Sequence, residues 1–337
     1  MTAATATAGT NIALVKYWGK RDEALNLPAT GSLSLTLDRM GTRTRVAFDD
    51  GDGSSDRVTL DGAPADSQVA LRVSAFLDRV RARAGISAHA TVVTANSVPT
   101  ASGLASSASG FAALALAATR AAGLDLPPAQ LSELARLGSG SAARSIFGGF
   151  VEMDRGTRAD GADAVAHPLA TAGDPTWDVR LVVAITAAGA KALGSTAAMK
   201  RTAQTSPFYP AWVAGVDGDL VAARAAIAGR DLPALGAVAE RSALRMHASA
   251  LAADPAILYW NPATVAAIAR VRALREEPSP IAAFFTIDAG PHVKVLCAAA
   301  DADRVAAALT AVPGVLRTLV ASPGPGARLV ETAETSA

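Results

Sequence analysis

A single cysteine, Cys297, stands among 337 residues. That scarcity excludes an intrachain disulfide and a zinc cluster, and it fits a reducing cytoplasm. Aromatic residues make up 4% of a chain that is half apolar. The apolar content is therefore mostly Ala, Val and Leu, which suits a helix-rich packed interior. Charge of one sign is not in excess either: 31 Lys and Arg stand against 30 Asp and Glu, a formal net charge of +1. No global field draws such a chain to nucleic acid or to an anionic membrane, although a local anion site remains open to it. Apolar runs such as Phe111–Ala118 fall far short of the roughly 20 residues that span a bilayer. Met1–Gly9 is rich in Ala and Thr, with neither a basic start nor an apolar core, so no signal peptide is expected. What is left is a chain long enough for two lobes or one large α/β unit.

Thr42–Phe48 alternates polar and apolar residues as a strand does, and a Gly/Asp/Ser loop follows over 49–56. Val58–Leu60 predicts a hairpin strand turning at Asp61-Gly62. Over Gln68–Arg83 the residues Val69, Val73, Phe76, Leu77 and Val80 recur at helical spacing. Helices are also expected over Ser106–Ala122, from Pro127-Pro128 to Leu137-Gly138, and over Ser195–Thr202, Pro210–Ala228, Pro233–Leu251, Pro262–Arg275 and Asp301–Ala311. Strands are expected over Ala90–Thr94, Phe150–Met153 and Val179–Thr186, with Phe284–Asp288 and Val293–Ala298 paired around Ala289-Gly290-Pro291. Thr157–Pro175 has little periodicity and marks a boundary between an N-terminal lobe, 1–175, and a C-terminal lobe, 176–337. Strands and helices mix without strict βαβ alternation, which predicts an α+β fold, with doubly wound α/β as the alternative.

Chemistry concentrates in four segments. Pro99–Gly110 places small residues and two glycines before a long apolar helix. Backbone N–H groups there approach an anion closely, and the hydroxyls of Ser102, Ser106 and Ser107 add donors. A polyphosphate suits this loop, and a serine-capped helix after a flexible turn is the equal alternative. Gly-x-Gly-x-x-Gly and Gly-x-x-x-x-Gly-Lys-Ser/Thr are both missing, which disfavours dinucleotide-binding and Walker-type loops. Gly138–Ser145 repeats the small-residue logic and adds Arg144, a planar fork matched to carboxylate or phosphate, with Ser139 and Ser141 as donors. Its plainer reading is a capped helix start with a solvated Arg. In Asn11–Arg21 the cations Lys16, Lys20 and Arg21 stand beside Tyr17 and Trp18 and have the charge to neutralise a diphosphate. Asp288 closes an apolar strand before a small-residue turn, where it is either a general base positioned by burial or an Asx-turn residue. His89, His167, His247 and His292 lack metal-ligand spacing, and Met199 and Met246 read as core fillers.

Together these segments resemble the diphosphomevalonate decarboxylase family, part of the superfamily of galactokinase, homoserine kinase, mevalonate kinase and phosphomevalonate kinase. The likeness runs from Asn11 to about Cys297. It rests on Asn11–Asp22, Pro99–Gly110, Gly138–Arg144 with Gly148–Glu152, Thr205–Tyr209, and Asp288–Pro291 with Val293–Leu296. The serine loop marks only the superfamily. The Lys-Tyr-Trp-Gly-Lys and Asp-Ala-Gly-Pro blocks are far more specific. The resemblance implies a two-lobed kinase-like fold with a deep cleft, and ATP- and Mg²⁺-dependent conversion of (R)-5-diphosphomevalonate to isopentenyl diphosphate, phosphate, ADP and CO₂, by a cytoplasmic homodimer. In that reading Asp288 orients or deprotonates the C3 hydroxyl, Arg144 engages the substrate, and Lys16 serves the nucleotide side. Tyr17, Trp18, Gly19, Lys20, Arg72, Ser139, Gly140, Ser141, Ala142, Ala143, Ser195 and Thr196 bind substrate. Ser102, Gly103, Leu104, Ala105, Ser106 and Ser107 hold the ATP phosphates, with Mg²⁺ near Ser106 and no metal-ligand motif of its own.

Four positions depart from the common family pattern. The run Leu27-Pro-Ala-Thr-Gly-Ser32-Leu-Ser34 lacks the Asn-Ser-Ser that many family members carry before the Leu-Ser pair, Ala143 replaces a frequent Cys, His292 a common Asn, and Gly194 a Ser. They bear on substrate preference more than on reaction type. Competing readings are a decarboxylase of 5-phosphomevalonate, a mevalonate 3-kinase that does not decarboxylate, and a catalytically silent nucleotide-binding protein. Nucleic-acid binding is the most distant, given the balanced charge and few aromatics.

Overall fold

A computed structural model describes residues 3–49, 55–97, 106–169, 177–189 and 192–330. The chain begins with β1 (Ala3–Val15), a small hairpin of β2 (Lys20–Asp22) and β3 (Leu27–Pro28), and the long β4 (Ser32–Asp49). β5 (Arg57–Leu60), β6 (Ala63–Pro64), α1 (Ser67–Ala84) and β7 (His89–Asn96) follow. Next come α2 (Ser106–Ala121), α3 (Pro128–Gly138), the single turn α4 (Ala142–Ser145), β8 (Phe150–Met153) and β9 (Ala166–Pro168). The remainder holds β10 (Val179–Ile185), α5 (Ser195–Thr205), α6 (Tyr209–Ala228), α7 (Leu232–Leu251) and α8 (Pro262–Ala273). It ends with β11 (Phe284–Ile287), β12 (Val293–Ala298), α9 (Ala302–Thr310), β13 (Arg317–Ala321) and β14 (Arg328–Leu329).

The strands form one sheet ordered β14-β1-β4-β7-β5-β6, with β8 and β9 branching from β4, and a second, antiparallel sheet ordered β11-β12-β10-β13. This is the α+β arrangement expected. β4 shows why only part of it was visible beforehand. From Met40 its residues alternate between buried and open faces, but Ser32–Leu37 are buried throughout, and a strand covered on both faces has no period to read. The first half of β1 is mostly Ala, which is depleted in strands, and its apolar residues are too small for the alternation with Thr5 and Thr7 to stand out. Its partners β4 and β14 supply the ladder, with Ala6 opposite both Thr44 and Leu329. β14 brings the chain end back to the first sheet, a pairing with no local signal.

Helix ends follow local chemistry. Asp66 accepts from the Val69 N–H to cap α1, which buries Val73, Phe76, Leu77 and Val80 and stops at a left-handed Gly85. Alanine-rich α2 lies flat on β1 and β4, its small side chains allowing close approach in a core with α1 and α3. In β10 successive residues serve two cores. Leu181 and Val183 pack with Ile12 and Leu14 of β1 and with Leu220 and Leu235 of α6 and α7. Val182 and Ala184 pack against α8 and α9. This shared packing fixes the C-terminal end of β1 beside the turn after β11, where the chemistry lies.

Candidate active site

A cleft of about 990 Å³ opens where β1, α1, the α3–α4 loop, α5 and the turn after β11 meet. Among the described residues six cations line it, Lys16, Lys20, Arg72, Arg79, Arg144 and Lys200, against two acids, Glu23 and Asp288. On a chain of net charge +1, that local excess selects a polyanionic ligand.

At the cleft floor Asp288 is held between two lysines. Lys16 Nζ donates to Asp288 Oδ1 at 2.6 Å, and Lys294 Nζ stands 3.1 Å from Oδ2; both lysines are 2% exposed and the aspartate 28%. β1 delivers Lys16, whose N–H donates to Ser242 Oγ on α7 and whose ammonium also donates to the Ala13 carbonyl. The β11–β12 register delivers Asp288 and Lys294, with Thr286 opposite Lys294. Burial alone would raise the Asp288 carboxyl, but the charges and hydrogen bonds of Lys16 and Lys294 outweigh it and hold the group well below the usual carboxylate range. Burial likewise pulls Lys16 down to about 8, against the pull of Asp288. His247 of α7 stands behind the strand against the Ile287 carbonyl, and burial with the nearby Lys16 charge pushes it down to about 3, so it is neutral.

Arg144 is 1% exposed and has no carboxylate partner among the described residues. Its Nε donates to Ser34 Oγ at 3.0 Å, one terminal nitrogen to Ser32 Oγ, and the other to Asn11 Oδ1 at 3.2 Å. Burial pulls it down to about 10, so it stays charged at neutral pH. The expected free fork is therefore largely committed: of five N–H groups, three are spent on the protein and one points at the Met153 sulfur. Among the described residues this leaves the charge and one N–H of Arg144 uncommitted, rather than a free bidentate fork. Ser32 and Ser34, which the sequence does not single out as site residues, hold it together with Asn11.

Tyr17 stacks under Arg144, the guanidinium 5.9 Å from the ring centre, and among the described residues its buried hydroxyl has no hydrogen-bond partner, nor has the Trp18 indole N–H. Two buried donors left unmatched at a cleft wall point to a ligand that matches them. Burial raises the Tyr17 phenol far above its ordinary value, so it stays protonated as a donor. Gly140 is required here because a Cβ would overlap the Tyr17 ring and hydroxyl. Gly19, at φ 106°, gives way in the same manner to Tyr209, from the Thr205–Tyr209 block. We expect Gly140→Ala to displace Tyr17 and lower kcat/KM by roughly 10- to 100-fold. Its melting temperature should fall by only a few degrees. Steady-state kinetics beside a thermal melt check this, and wild-type kinetics would remove Tyr17 from the site.

At the other end of the cleft Lys20 Nζ donates to Asn26 Oδ1 at 2.6 Å, and Asn26 Nδ2 donates to the Leu137 carbonyl at 2.9 Å. Asn26 thereby ties the lysine to the end of α3, just before Ser139. Arg136, buried and donating to the Leu25, Gly161 and Ala164 carbonyls, anchors the same junction. Arg72 leans over Phe111 with its guanidinium 5.2 Å from the ring centre. Ser139, Gly140, Ser141, Ser195, Thr196 and Ser107 line the cleft, and Lys200 pairs with Glu23 across its mouth at 3.3 Å. Ala142 and Ala143 do not line it: they are fully buried where α4 packs on α2 and β8, and serve by placing Arg144. Met199 and Met246 fill the core as expected and also reach the cleft wall. Ser102, Gly103, Leu104 and Ala105 lie outside the described residues, and Ser106 opens α2.

Lys294 was missed as a site residue, though a lysine inside Val-Lys-Val-Leu-Cys carries a signal: a buried ammonium needs an anion. Asn26, Ser32 and Ser34 carry none, since polar residues of that kind are ordinary in turns and strands.

The two-sheet fold around a cationic cleft with one clamped carboxylate defines an enzyme of the kinase-like class that acts on small phosphorylated substrates. A family profile for the diphosphomevalonate decarboxylase-like N-terminal domain matches residues 8–166, and one for the mevalonate 5-diphosphate decarboxylase C-terminal domain matches 181–319. Diphosphomevalonate decarboxylases of Aspergillus fumigatus and Homo sapiens are 35% and 36% identical, over 92% and 88% of this chain and 80% and 76% of their own lengths. The crystal structure of mevalonate diphosphate decarboxylase from Staphylococcus aureus is 37% identical, with a TM-score of 0.91 over 98% of each chain. A structure described as MDDEF in complex with MVAPP, AMPPCP and magnesium is 41% identical, with a TM-score of 0.90 over 98% of this chain and 99% of that one. The chain belongs to the diphosphomevalonate decarboxylase family.

Proposed function

We propose the following division of labour for the family's reaction, the ATP-dependent decarboxylation of (R)-5-diphosphomevalonate to isopentenyl diphosphate. Lys20 and Arg72 receive the diphosphate with the hydroxyls of Ser139 and Ser141. Tyr17 and Trp18 donate to the body of the substrate. Arg144 places the carboxylate end by charge and one N–H. A full bidentate grip would stabilise the carboxylate that must be lost, so a partly committed guanidinium suits the step. Asp288 accepts a hydrogen bond from the C3 hydroxyl and turns its oxygen toward the γ-phosphorus. The oxygen–phosphorus bond forms as the bond to ADP breaks, the electron pair leaves on ADP, and the hydroxyl proton passes to Asp288. The C1–C2 bond then breaks to release CO₂, its electron pair forms the C2–C3 double bond, and phosphate departs from C3. A depressed carboxylate is a weak base, which is sufficient because in a loose phosphoryl transfer the hydroxyl proton becomes acidic only as the new bond forms.

ATP enters over the start of α2, whose N-terminus and Ser107 hydroxyl favour phosphate. Among the described residues no three His, Cys, Asp or Glu side chains form a metal cluster. The oxygen donors of the cleft, Ser107 and the nucleotide's own phosphates, fit a hard cation such as Mg²⁺, which supplies charge neutralisation when bound. We also propose the division into lobes at 175/176, with the tail that carries β14 belonging to the first lobe. A cytoplasmic homodimer is proposed on the family resemblance.

The clamped Asp288 on the floor of a cation-lined cleft carries the reading. Purified protein given ATP, Mg²⁺ and (R)-5-diphosphomevalonate should release ADP and CO₂ in equal amounts. ADP without CO₂ would make it a 3-kinase, faster turnover of 5-phosphomevalonate would move the substrate, and neither product would make it a silent nucleotide binder.

A further inference from the structure

Lys294 sits in mid-strand on β12, opposite Thr286 of β11 and Val183 of β10. It is 2% exposed and does not line the cleft, so it reaches Asp288 Oδ2 from the protein side. Lys16, which does line the cleft, holds Oδ1. Among the described residues the other charged or titratable groups facing this carboxylate are Arg144 from α4 and the neutral His247 from α7. Taking an ammonium out of water costs several kcal/mol even after relaxation, so burial in the strand works against Lys294 unless its charge has a partner. Its charge partner here is Asp288.

We propose that Lys294 is a positioning residue for phosphoryl transfer: it pins Asp288 through Oδ2, so that Oδ1, on the cleft side, is presented to the C3 hydroxyl in one fixed orientation. This rests on the reading above that Asp288 orients that hydroxyl. Two ammonium groups on one carboxylate also leave the trio with a net charge of +1 beside the oxygen that attacks phosphorus. That surplus stabilises the oxygen as it loses its proton, and it keeps Asp288 anionic between turnovers. With Lys294 gone, the carboxylate rotates about a single anchor and loses half of the charge that keeps it ionised.

The test measures ADP release, CO₂ release and the pH profile of kcat for Lys294→Met, Lys294→Gln, Asp288→Asn and the double variant Asp288→Asn/Lys294→Met. We expect Lys294→Met to lower kcat by roughly 10- to 100-fold. KM for either substrate should change less than about threefold, since the interaction serves orientation more than binding. The acid limb of kcat should move toward neutral by about one pH unit, because the carboxylate has lost one of two cations. Lys294→Gln, which keeps a donor without the charge, should show the same acid-limb shift and serves if the Met variant does not fold. The double variant should be no slower than Asp288→Asn alone, because Lys294 acts through Asp288. Unchanged kcat and pH profile in either folded Lys294 variant, or a double variant slowed by the full Lys294→Met factor, overturns the proposal. Release of ADP without CO₂ by the unaltered enzyme would instead overturn the decarboxylase reading, and the Lys294 effect on ADP release would still decide this one.

Discussion

Asp288→Asn should lower kcat by roughly 10³-fold or more, the range in which a positioned acid–base group and its electrostatic role are lost together. Asn keeps the shape and removes the charge. Lys16 and Lys294, both 2% exposed, are then left facing each other with no anion between them. Breaking a buried pair from one side typically costs about 3–5 kcal/mol. Here the loss is limited, because Lys16 is already pulled down to about 8 by burial and sheds its proton once Asp288 no longer opposes that. The variant should therefore fold, melt lower than the unaltered enzyme at neutral pH, and recover part of the difference as pH rises.

The signs follow from the two shifts. Asp288 is held below its ordinary value, so its contribution to stability is complete above about pH 4 and is lost as pH falls further. Asp288→Asn lacks that acid-side loss. Lys16 is held below its ordinary value of 10.5, at about 8. Between those two pH values the unfolded chain binds more protons, and stability from this group rises with pH. Thermal melts across pH combined with ADP-release kinetics check both signs. Near-normal turnover in Asp288→Asn would remove the carboxylate from the chemistry.

Arg144→Met should lower kcat/KM by a comparable factor, roughly 10³-fold, because it removes both the charge at the carboxylate end and a hydrogen-bond donor in a water-poor site. Unlike Asp288→Asn, it carries a packing cost. Ser32 and Ser34 lie at 0% exposure and Asn11 at 4%, and all three lose the group they hold. Each stranded buried polar group costs about 1–3 kcal/mol. Arg144→Lys restores the charge, but an ammonium on a flexible stem does not reach two serines and an asparagine at once, so a loss of roughly 100-fold should remain. Kinetics on the folded fraction, with melts for all three proteins, separates the two costs. Full recovery in Arg144→Lys would show that charge alone matters and that the Ser32–Ser34–Asn11 cradle has no role in orientation.

Most of the helices were legible because each carries its own signal: Asp66 and Gly85 bracket α1, and Asn261 with Thr264 builds a reciprocal cap on α8. The second sheet was legible in three of its four strands, β10, β11 and β12, but not in β13, an edge strand of mixed residues. The first sheet was half legible. Alternation marks a strand with one open face and disappears in Ser32–Leu37, where both faces are covered.

Within the site, the chain by itself determined which groups exist: Lys16, Tyr17, Lys20, Arg144 and Asp288 stand in short blocks whose composition points to anion chemistry. It also determined that the charge excess had to be local, since the whole chain is almost neutral. Tertiary structure alone decided how those groups are partnered. Lys16 meets Asp288 across 272 positions of chain, Lys294 reaches the same carboxylate from behind, and Arg144 is tied to Ser32 and Ser34 across 112 and 110 positions. The physical reason is that a side chain's charge and reach are local properties written in its type. Its burial, and the hydrogen bonds that remain to it once buried, depend on strands and helices that sequence distance does not relate.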